Sequence, residues 1–370
     1  MTPTLAVRHV ALAMLLTTFL HSVSAIAAES AADSRPLELA HRAPRTGTLP
    51  VVAVVAQGDA VLSDLVVPYG VLAQSGAARV VTVNLVDGPL KAGPVTITPD
   101  MTAAEFDRAY PDGADYVIVP ATNDHHGAEI KWLRAQRARG AAMVSICDGV
   151  EVLAETGALN GRRATGHWAS LRSRRKHFPA VHWETNRRYV ADGDVASSAG
   201  VSASLPISLA LLASLADQHA ARETADRLGV RSWDEHHNSD VFKIRPDDRA
   251  VHEANMGVER NDVVAVMVRD GDDEVAMSLH AEAWSRTMRN DVVLVSDHGG
   301  VVRLRGGLRV QTKAADSVKA DIHVTSGGAV LAAGVLDADL QDIANRYGAG
   351  TARLAALGME YPWGDLADTR

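Results

Sequence analysis

The sequence predicts an α/β protein whose mostly parallel sheet is covered by helices on both faces. Continuous Val/Ile runs alternate with helical segments, and those runs lack a polar face, as strands buried on both sides do. A second, incomplete round of the same pattern after residue 260 predicts a truncated copy of the fold.

The elements follow in order. "VVAVVA" (51–56) reads as a buried strand, and "LSDLVVPYGVLAQSG" (62–76) as an apolar-periodic helix closed by Gly76. "VVTVNLV" (80–86) is a second strand, and "YVIVP" (116–120) a third after the acidic turn "PDGAD". "EIKWLRAQRARG" (129–140) has amphipathic helical spacing, "AAMVSIC" (141–147) is the next strand, and "VEVLAETG" (150–157) the helix after it. In such sheets ligands and reactive groups gather at the carboxyl ends of strands, and Cys147 stands at one.

The duplication is read from matched segments. "VVAVMVRDGDDEVAMSLHAEAWS" (263–285) parallels "VVAVVAQGDAVLSDLVVPYGVLA" (51–73), and "NDVVLVSDHGGVVRLRGGLRVQ" (290–311) parallels "ARVVTVNLVDGPLKAGPVTIT" (78–98). Later "TSGG" (325–328) mirrors "SSAG" (197–200), and "ALG" then matches "RLG", as in a repeat that has lost its middle. The expected organisation is a leader over 1–28, a linker over 29–49, a complete domain over 50–235, a connector over 236–261 and a half-domain over 262–370.

The leader is read from pattern. Arg8 precedes the apolar run "ALAMLLTTFL" (11–20), which is short for a bilayer span, and Ala25-Ile26-Ala27 supplies a small-x-small cleavage site. The expected location is periplasmic or secreted. The whole chain has 37 Lys and Arg against 45 Asp and Glu, so loss of Arg8 takes the formal charge from −8 to −9. An acidic balance offers no general attraction to nucleic acid or anionic membrane, and the expected partner is a small molecule. The basic runs "GRR" (161–163), "RSRRK" (172–176) and Arg187-Arg188 read as solvated helix faces. A single Cys excludes an internal disulfide.

A thiol at a strand-to-helix corner is lifted clear of the sheet, and a helix N-terminus beside it favours the thiolate. A buried structural cysteine is the alternative at this stage. The surrounding residues resemble a family. "CDGVEVLAETGALNGRRATGHW" (147–168), "VASSAGVSASLPISLALL" (195–212) and "SDLVVPYGVL" (63–72) are similar to three stretches of the PfpI-like, class I glutamine amidotransferase-like superfamily. Its members include intracellular peptidase-like proteins, isonitrile hydratase, the Parkinson-associated deglycase and the sensor halves of AraC-type regulators. The resemblance covers about residues 50–235 and implies a flavodoxin-like α/β/α sandwich.

It also implies roles. Cys147 falls on the reactive elbow cysteine, Asp64 on the acidic residue that leans on the sulfur, and His167 on the histidine often found near the site. Asp148, His125, His126 and Gly200 are the expected substrate-binding positions, with no metal or cofactor. The departures are Asp148 where relatives carry Thr, Ser, Ala or His, "PATNDHHG" where many have "PGG", and "SLPIS" in place of "G-I-D". Two histidine pairs, His125-His126 and His236-His237, raise the question of a metal, but adjacent histidines point apart and rarely share an ion. Such proteins commonly dimerise, so the expected assembly is a homodimer or an internal pseudo-dimer covering the same surface.

Two functions stay open: a cysteine-dependent hydrolase or lyase acting on a small electrophile, and a non-catalytic binding or redox-sensing domain. No helix-turn-helix pattern follows residue 235, which argues against direct DNA regulation. The thiol is expected to be partly accessible and alkylated readily, with Asp148 and Asp64 opposing the helix terminus. The leader reading predicts a native N-terminus just after Ala27, and mass spectrometry of the secreted chain should find it. A chain that retains Met1 in the cytoplasm refutes it.

Overall fold

The structure, a computed structural model, describes residues 35–40, 48–85, 88–122 and 127–367. The expected leader, its cleavage point and most of the linker lie outside them. The first half begins β1 (Val51–Val55), α1 (Leu62–Ser75), β2 (Arg79–Asn84), β3 (Leu90–Ala92), β4 (Val95–Thr98) and β5 (Met101–Thr102). Next come α2 (Ala103–Ala109), β6 (Tyr116–Val119), α3 (Gly127–Ala138), β7 (Ala142–Ser145) and α4 (Gly149–Glu155). They are followed by β8 (Arg163–Ala164), α5 (Leu171–His177), β9 (His182–Trp183), β10 (Tyr189–Asp192) and β11 (Val195–Ser198), then α6 (Ser204–Leu215) and α7 (Gln218–Leu228).

The main sheet has strand order β10-β11-β7-β6-β1-β2-β5. Every neighbouring pair is parallel except β10 with β11. Alternation along β1 explains why its run is apolar throughout. Val52 and Val54 enter a core shared with Leu65 and Leu72 of α1 and Leu209 of α6. Val51, Ala53 and Val55 enter a second core with Phe106, Leu133 and Leu153 from α2, α3 and α4. Each such valine or leucine contributes about 1.5–3 kcal/mol by leaving water.

The second half runs α8 (Pro246–Met256), β12 (Asp262–Met267), α9 (Glu274–Ser285), β13 (Asn290–Ser296), β14 (Gly300–Arg303), β15 (Arg309–Ala314) and β16 (Ile322–Thr325). It closes with α10 (Val335–Tyr347) and α11 (Ala349–Gly358). β12 lies parallel between β13 and β16, as β1 lies between β2 and β6. The β14–β15 hairpin repeats the β3–β4 hairpin, and β15 pairs antiparallel with β4, so the two hairpins meet across the halves. The second copy is incomplete on its outer side, where His323 and Thr325 of β16 and most of β14 are exposed.

The repeat register differs from the sequence reading. α6 and α10 begin at Ser204 and Val335, and α7 and α11 at Gln218 and Ala349, a constant displacement of 131 (335 less 204, 349 less 218). Matching "TSGG" to "SSAG" puts them three residues out of step. The cause is that β16 occupies the place of β6, not of β11, so residues 329–331 are needed to reach the 3-10 turn at Ala332.

The halves join through α1 and α9, which pack on each other and are buried over Leu62–Leu72 and Glu274–Trp284. A glycine in mid-helix ordinarily costs about 0.5–1 kcal/mol against alanine. Here a Cβ on Gly70 would lie 2.7 Å from Val275 Cγ2 and 2.8 Å from Glu274 Cγ, so the glycine sets how closely the helices approach. Gly70→Val is expected to lose about 1–3 kcal/mol by overpacking, seen as a lower urea midpoint at unchanged slope. Gly58→Ala, where a Cβ meets nothing within 4 Å, should leave the midpoint in place.

Candidate functional site

The site is built where β6, β7 and β11 end together. Past β7, the Ile146 N–H donates to the Val119 carbonyl (3.0 Å) and the Cys147 N–H to the Ala199 carbonyl (3.1 Å). Cys147 itself is left-handed, φ +56, a conformation that costs a non-glycine residue of this kind about 1–3 kcal/mol. Gly149 follows because a Cβ there would run into the Val119 carbonyl oxygen and lie 2.8 Å from Pro120 carbonyl atoms. The elbow is therefore wedged against the end of the neighbouring strand.

Asp64 comes from the first turn of α1 and is fully buried. Its Oδ2 accepts a 3.4 Å hydrogen bond from the Ala121 N–H, while its Oδ1 has no partner among the described residues. Burial, and next the charge of Glu282, push its carboxyl well above the usual range, against the opposing pull of Arg286. Cys147 is 7% exposed. Burial, then Asp64 and Asp148, push its thiol up; Arg286 and the Asp148 N–H pull the other way.

The thiol expected to be partly accessible is buried instead, and the hydrogen bonds show why the helix terminus does little for it. The N–H groups that open α4 are already engaged: Gly149, Val150 and Glu151 donate to the carbonyls of Ile146, Cys147 and Asp148. A helix N-terminus favours an anion through N–H groups left unsatisfied, and these are not.

The Asp148 carboxylate turns toward α5. It accepts a 3.0 Å hydrogen bond from Arg174 and a short one from Ser170, and its side chain stays a third exposed. Arg174 also donates to the His167 carbonyl at 2.7 Å and is 1% exposed. One member of the basic run 172–176 therefore points inward, whereas its neighbours Arg172, Ser173, Arg175 and Lys176 are exposed. His167 Nδ1 accepts from the Ala169 N–H (3.4 Å), and its buried Nε2 has no partner among the described residues. Burial lowers its pKa, with Glu360 and Asp148 opposing.

Gly200 donates its N–H to the carboxylate of Glu360, a residue of the second half. The structure therefore gathers Cys147, Asp64, Asp148, His167 and Gly200 at one end of the sheet; His125 and His126 lie outside the described residues. Of the other histidine pair, His236 is exposed and His237 is buried against Glu360 at 2.9 Å. Among the described residues no group of three or more His, Cys, Asp or Glu is placed to hold a metal ion.

Three charged groups from the second half escape sequence reading: Glu282, Arg286 and Glu360. Glu282 accepts from the N–H (3.2 Å) and hydroxyl (3.3 Å) of Ser63, one residue from Asp64 in the chain, and holds Arg286 at 2.7 Å. The signal for them is the repeat itself, which places α9 against α1.

The raised carboxyl has a consequence for stability. Above the unfolded aspartate pKa of about 3.9 the unfolded chain has lost a proton that folded Asp64 still holds. Stability from this group therefore falls as pH rises toward its folded value, and stays lost above it. Asp64→Asn is expected to flatten that fall, so its advantage over the native chain in urea denaturation grows between about pH 4 and pH 8. Parallel pH profiles for the two proteins would show that Asp64 ionises as freely as an exposed aspartate.

Known proteins match part of the chain. The family model described as the DJ-1/PfpI family matches residues 51–214. The HTH-type transcriptional regulator CdhR of Pseudomonas aeruginosa is 37% identical over 86 residues, 23% of this chain and 25% of that protein. The chain thus spans about a quarter of the length of that curated relative. Among solved structures, a ThiJ/PfpI family protein of Pseudomonas syringae is 24% identical, with a TM-score of 0.43 over 50% of this chain and 80% of that one. Drosophila melanogaster DJ-1beta is 22% identical, with a TM-score of 0.44 over 50% of this chain and 99% of that one. An AraC family transcriptional regulator of Pseudomonas putida is 16% identical, with a TM-score of 0.43 over 48% and 98%. Over residues 51–214 the chain is thus similar to the DJ-1/PfpI family.

Proposed function

We propose that the protein is a cysteine-dependent catalyst, a hydrolase or lyase, for a small uncharged electrophile (an amide, an isonitrile or a carbonyl compound), acting outside the cytoplasm. The observation that carries this reading is the left-handed Cys147 beside a fully buried Asp64 whose Oδ1 lacks a partner among the described residues. Backbone strain of this kind persists where a side chain must be aimed, and a buried unpaired oxygen awaits a proton or a ligand. The export part rests on the pattern of residues 1–28 alone.

The chemistry suits a thiol held protonated. As Sγ bonds to the electrophilic carbon, the S–H proton passes to the protonated Asp64 carboxyl, which gives its own proton to the electron pair displaced onto the carbonyl oxygen or left on the isonitrile carbon. A buried carboxyl that holds its proton can act as base and acid together. Anionic substrates are disfavoured, because Asp64, Asp148, Glu282 and Glu360 surround the elbow against Arg174 and Arg286.

A specific observation supports the second reading as well. Burial and two carboxylates keep Cys147 a thiol, which suits reversible ligand binding or slow redox sensing, and a relative of this chain is a transcriptional regulator. Small amides, isonitriles and carbonyl compounds incubated with the full chain should separate the readings. Catalysis predicts turnover of one class with an adduct on Cys147, lost in Cys147→Ser and slowed about 10²-fold or more in Asp64→Asn. Saturable binding without turnover would establish the sensing reading, and neither turnover nor binding would remove both.

A further inference from the structure

The two repeats close their last helices with the same turn, and one residue in it breaks the pattern. After α7, Gly229 is left-handed (φ +79); its N–H donates to the Asp226 carbonyl and the Val230 N–H to the Ala225 carbonyl. After α11, Glu360 is left-handed (φ +53), with the matching bonds from its N–H to Leu357 and from the Tyr361 N–H to Ala356. All four matched residues are displaced by the same 131 positions as the helices. Glycine adopts this conformation freely, whereas other residues are strained in it.

The wall facing the turn is exchanged as well. A Cβ on Gly229 would meet Leu331 Cβ at 3.0 Å. A Cβ on Gly200, the counterpart of Leu331, would lie 2.7 Å from both Glu360 Cβ and His167 Cδ2. So a glycine faces a leucine on the side without a cysteine, and a glutamate faces a glycine on the side of Cys147. Folding alone favours glycine at both turns.

Glu360 is fully buried and its carboxylate is fully engaged. Oε2 accepts from the Gly200 N–H (2.8 Å) and the Trp168 N–H (3.1 Å), and Oε1 pairs with His237 Nε2 (2.9 Å). The peptide unit whose N–H is Gly200's has the Ala199 carbonyl, which accepts from the Cys147 N–H at 3.1 Å. The unit whose N–H is Trp168's has the His167 carbonyl, which accepts from Arg174, the partner of Asp148. One carboxylate thus pulls on two peptide units whose far ends hold the elbow and its neighbour, and hydrogen bonds in series strengthen one another.

We propose that Glu360 is a positioning residue of the Cys147 site, supplied by the second repeat, whose carboxylate clamps the Gly200 and Trp168 backbone and the adjacent His167 ring against the elbow. This rests on Cys147 being the reactive centre. The side chain does not touch the sulfur and acts through the peptide units it binds.

The test compares the full-length native chain with Glu360→Gly and Glu360→Gln. Two readings are taken across about pH 5 to 10: the rate of Cys147 alkylation by iodoacetamide, and the NMR titration of the His167 ring. Glu360→Gly restores the residue of the sister turn, so it should fold, relief of strain offsetting lost hydrogen bonds. Loss of the clamp and its charge should raise the alkylation rate about threefold or more and move the His167 midpoint down by about half a unit, since a neighbouring carboxylate stabilises imidazolium. Glu360→Gln keeps an acceptor oxygen, so its alkylation rate should fall between the other two while His167 shifts fully. Alkylation profiles and His167 midpoints superimposable on the native chain would reduce Glu360 to a structural residue. If Glu360→Gly does not fold, His237→Gln, which frees only Oε1, should give a smaller displacement in the same direction, and none would overturn the proposal. A Cys147 that never reacts in the native chain would sink the functional reading instead, while the His167 titration still decides the role of Glu360.

Discussion

The packing of α1 against α9 governs the rest of the molecule. Both helices are buried almost end to end, and Gly70 lets them approach until Val275 lies where a Cβ would be. That contact merges the inner faces of the two halves into one core, which holds Val52 and Val54 together with Val264 and Val266. A half-sandwich with an exposed outer face would be poorly stabilised alone, because too little of its surface is removed from water. Here its inner face is covered by a complete domain. The same contact carries Glu282 and Arg286 beside Asp64, so what stabilises the fold also determines the charge of the site.

Burial and the helix terminus compete for control of the thiol, and magnitudes decide between them. A helix N-terminus offers at most about 2 kcal/mol to an anion in a favourable, partly buried place. Full burial can move an ionisable group by about 3–5 pKa units, at about 1.4 kcal/mol each. With the first N–H groups of α4 already bonded to elbow carbonyls, the smaller effect is reduced further. Local sequence shows that a thiol precedes a helix. Whether that helix end is free depends on how the elbow folds back on Val119 and Pro120.

This separates what was legible in the sequence from what was not. The strands and helices read between residues 51 and 157 lie within a few residues of where apolar runs and glycines put them, because their signals are local. The elbow was legible too, since Cys147, Gly149 and the apolar strand are consecutive. Arg174 was lost in a basic run because charge alone does not show which of four neighbouring cations turns inward. Glu282 and Glu360 act across 219 and 160 residues, and no periodicity links them to Ser63 and Gly200. The repeat held the clue and also concealed it. Aligning "RLG" with "ALG" matches glycine to glycine, whereas the backbone matches Gly229 to Glu360, left-handed residue to left-handed residue.

That mismatch shows what joining two copies in one chain allows. In a symmetric dimer each surface residue serves both sites, so a glutamate at this turn would appear twice and face a glycine twice. In a single chain the copies are free to diverge. One keeps the thiol and the small Gly200, while the other loses its elbow strands and gains Glu360. At the unused corner the turn reverts to Gly229, and Leu331, still half exposed, fills the space opposite. Covalent linkage also makes the contact independent of protein concentration, so a partner-supplied carboxylate is present in every molecule. The second repeat therefore contributes to the Cys147 site although it has no cysteine of its own, and of its two left-handed non-glycine residues among those described, Met288 and Glu360, it is Glu360 that lies against that site.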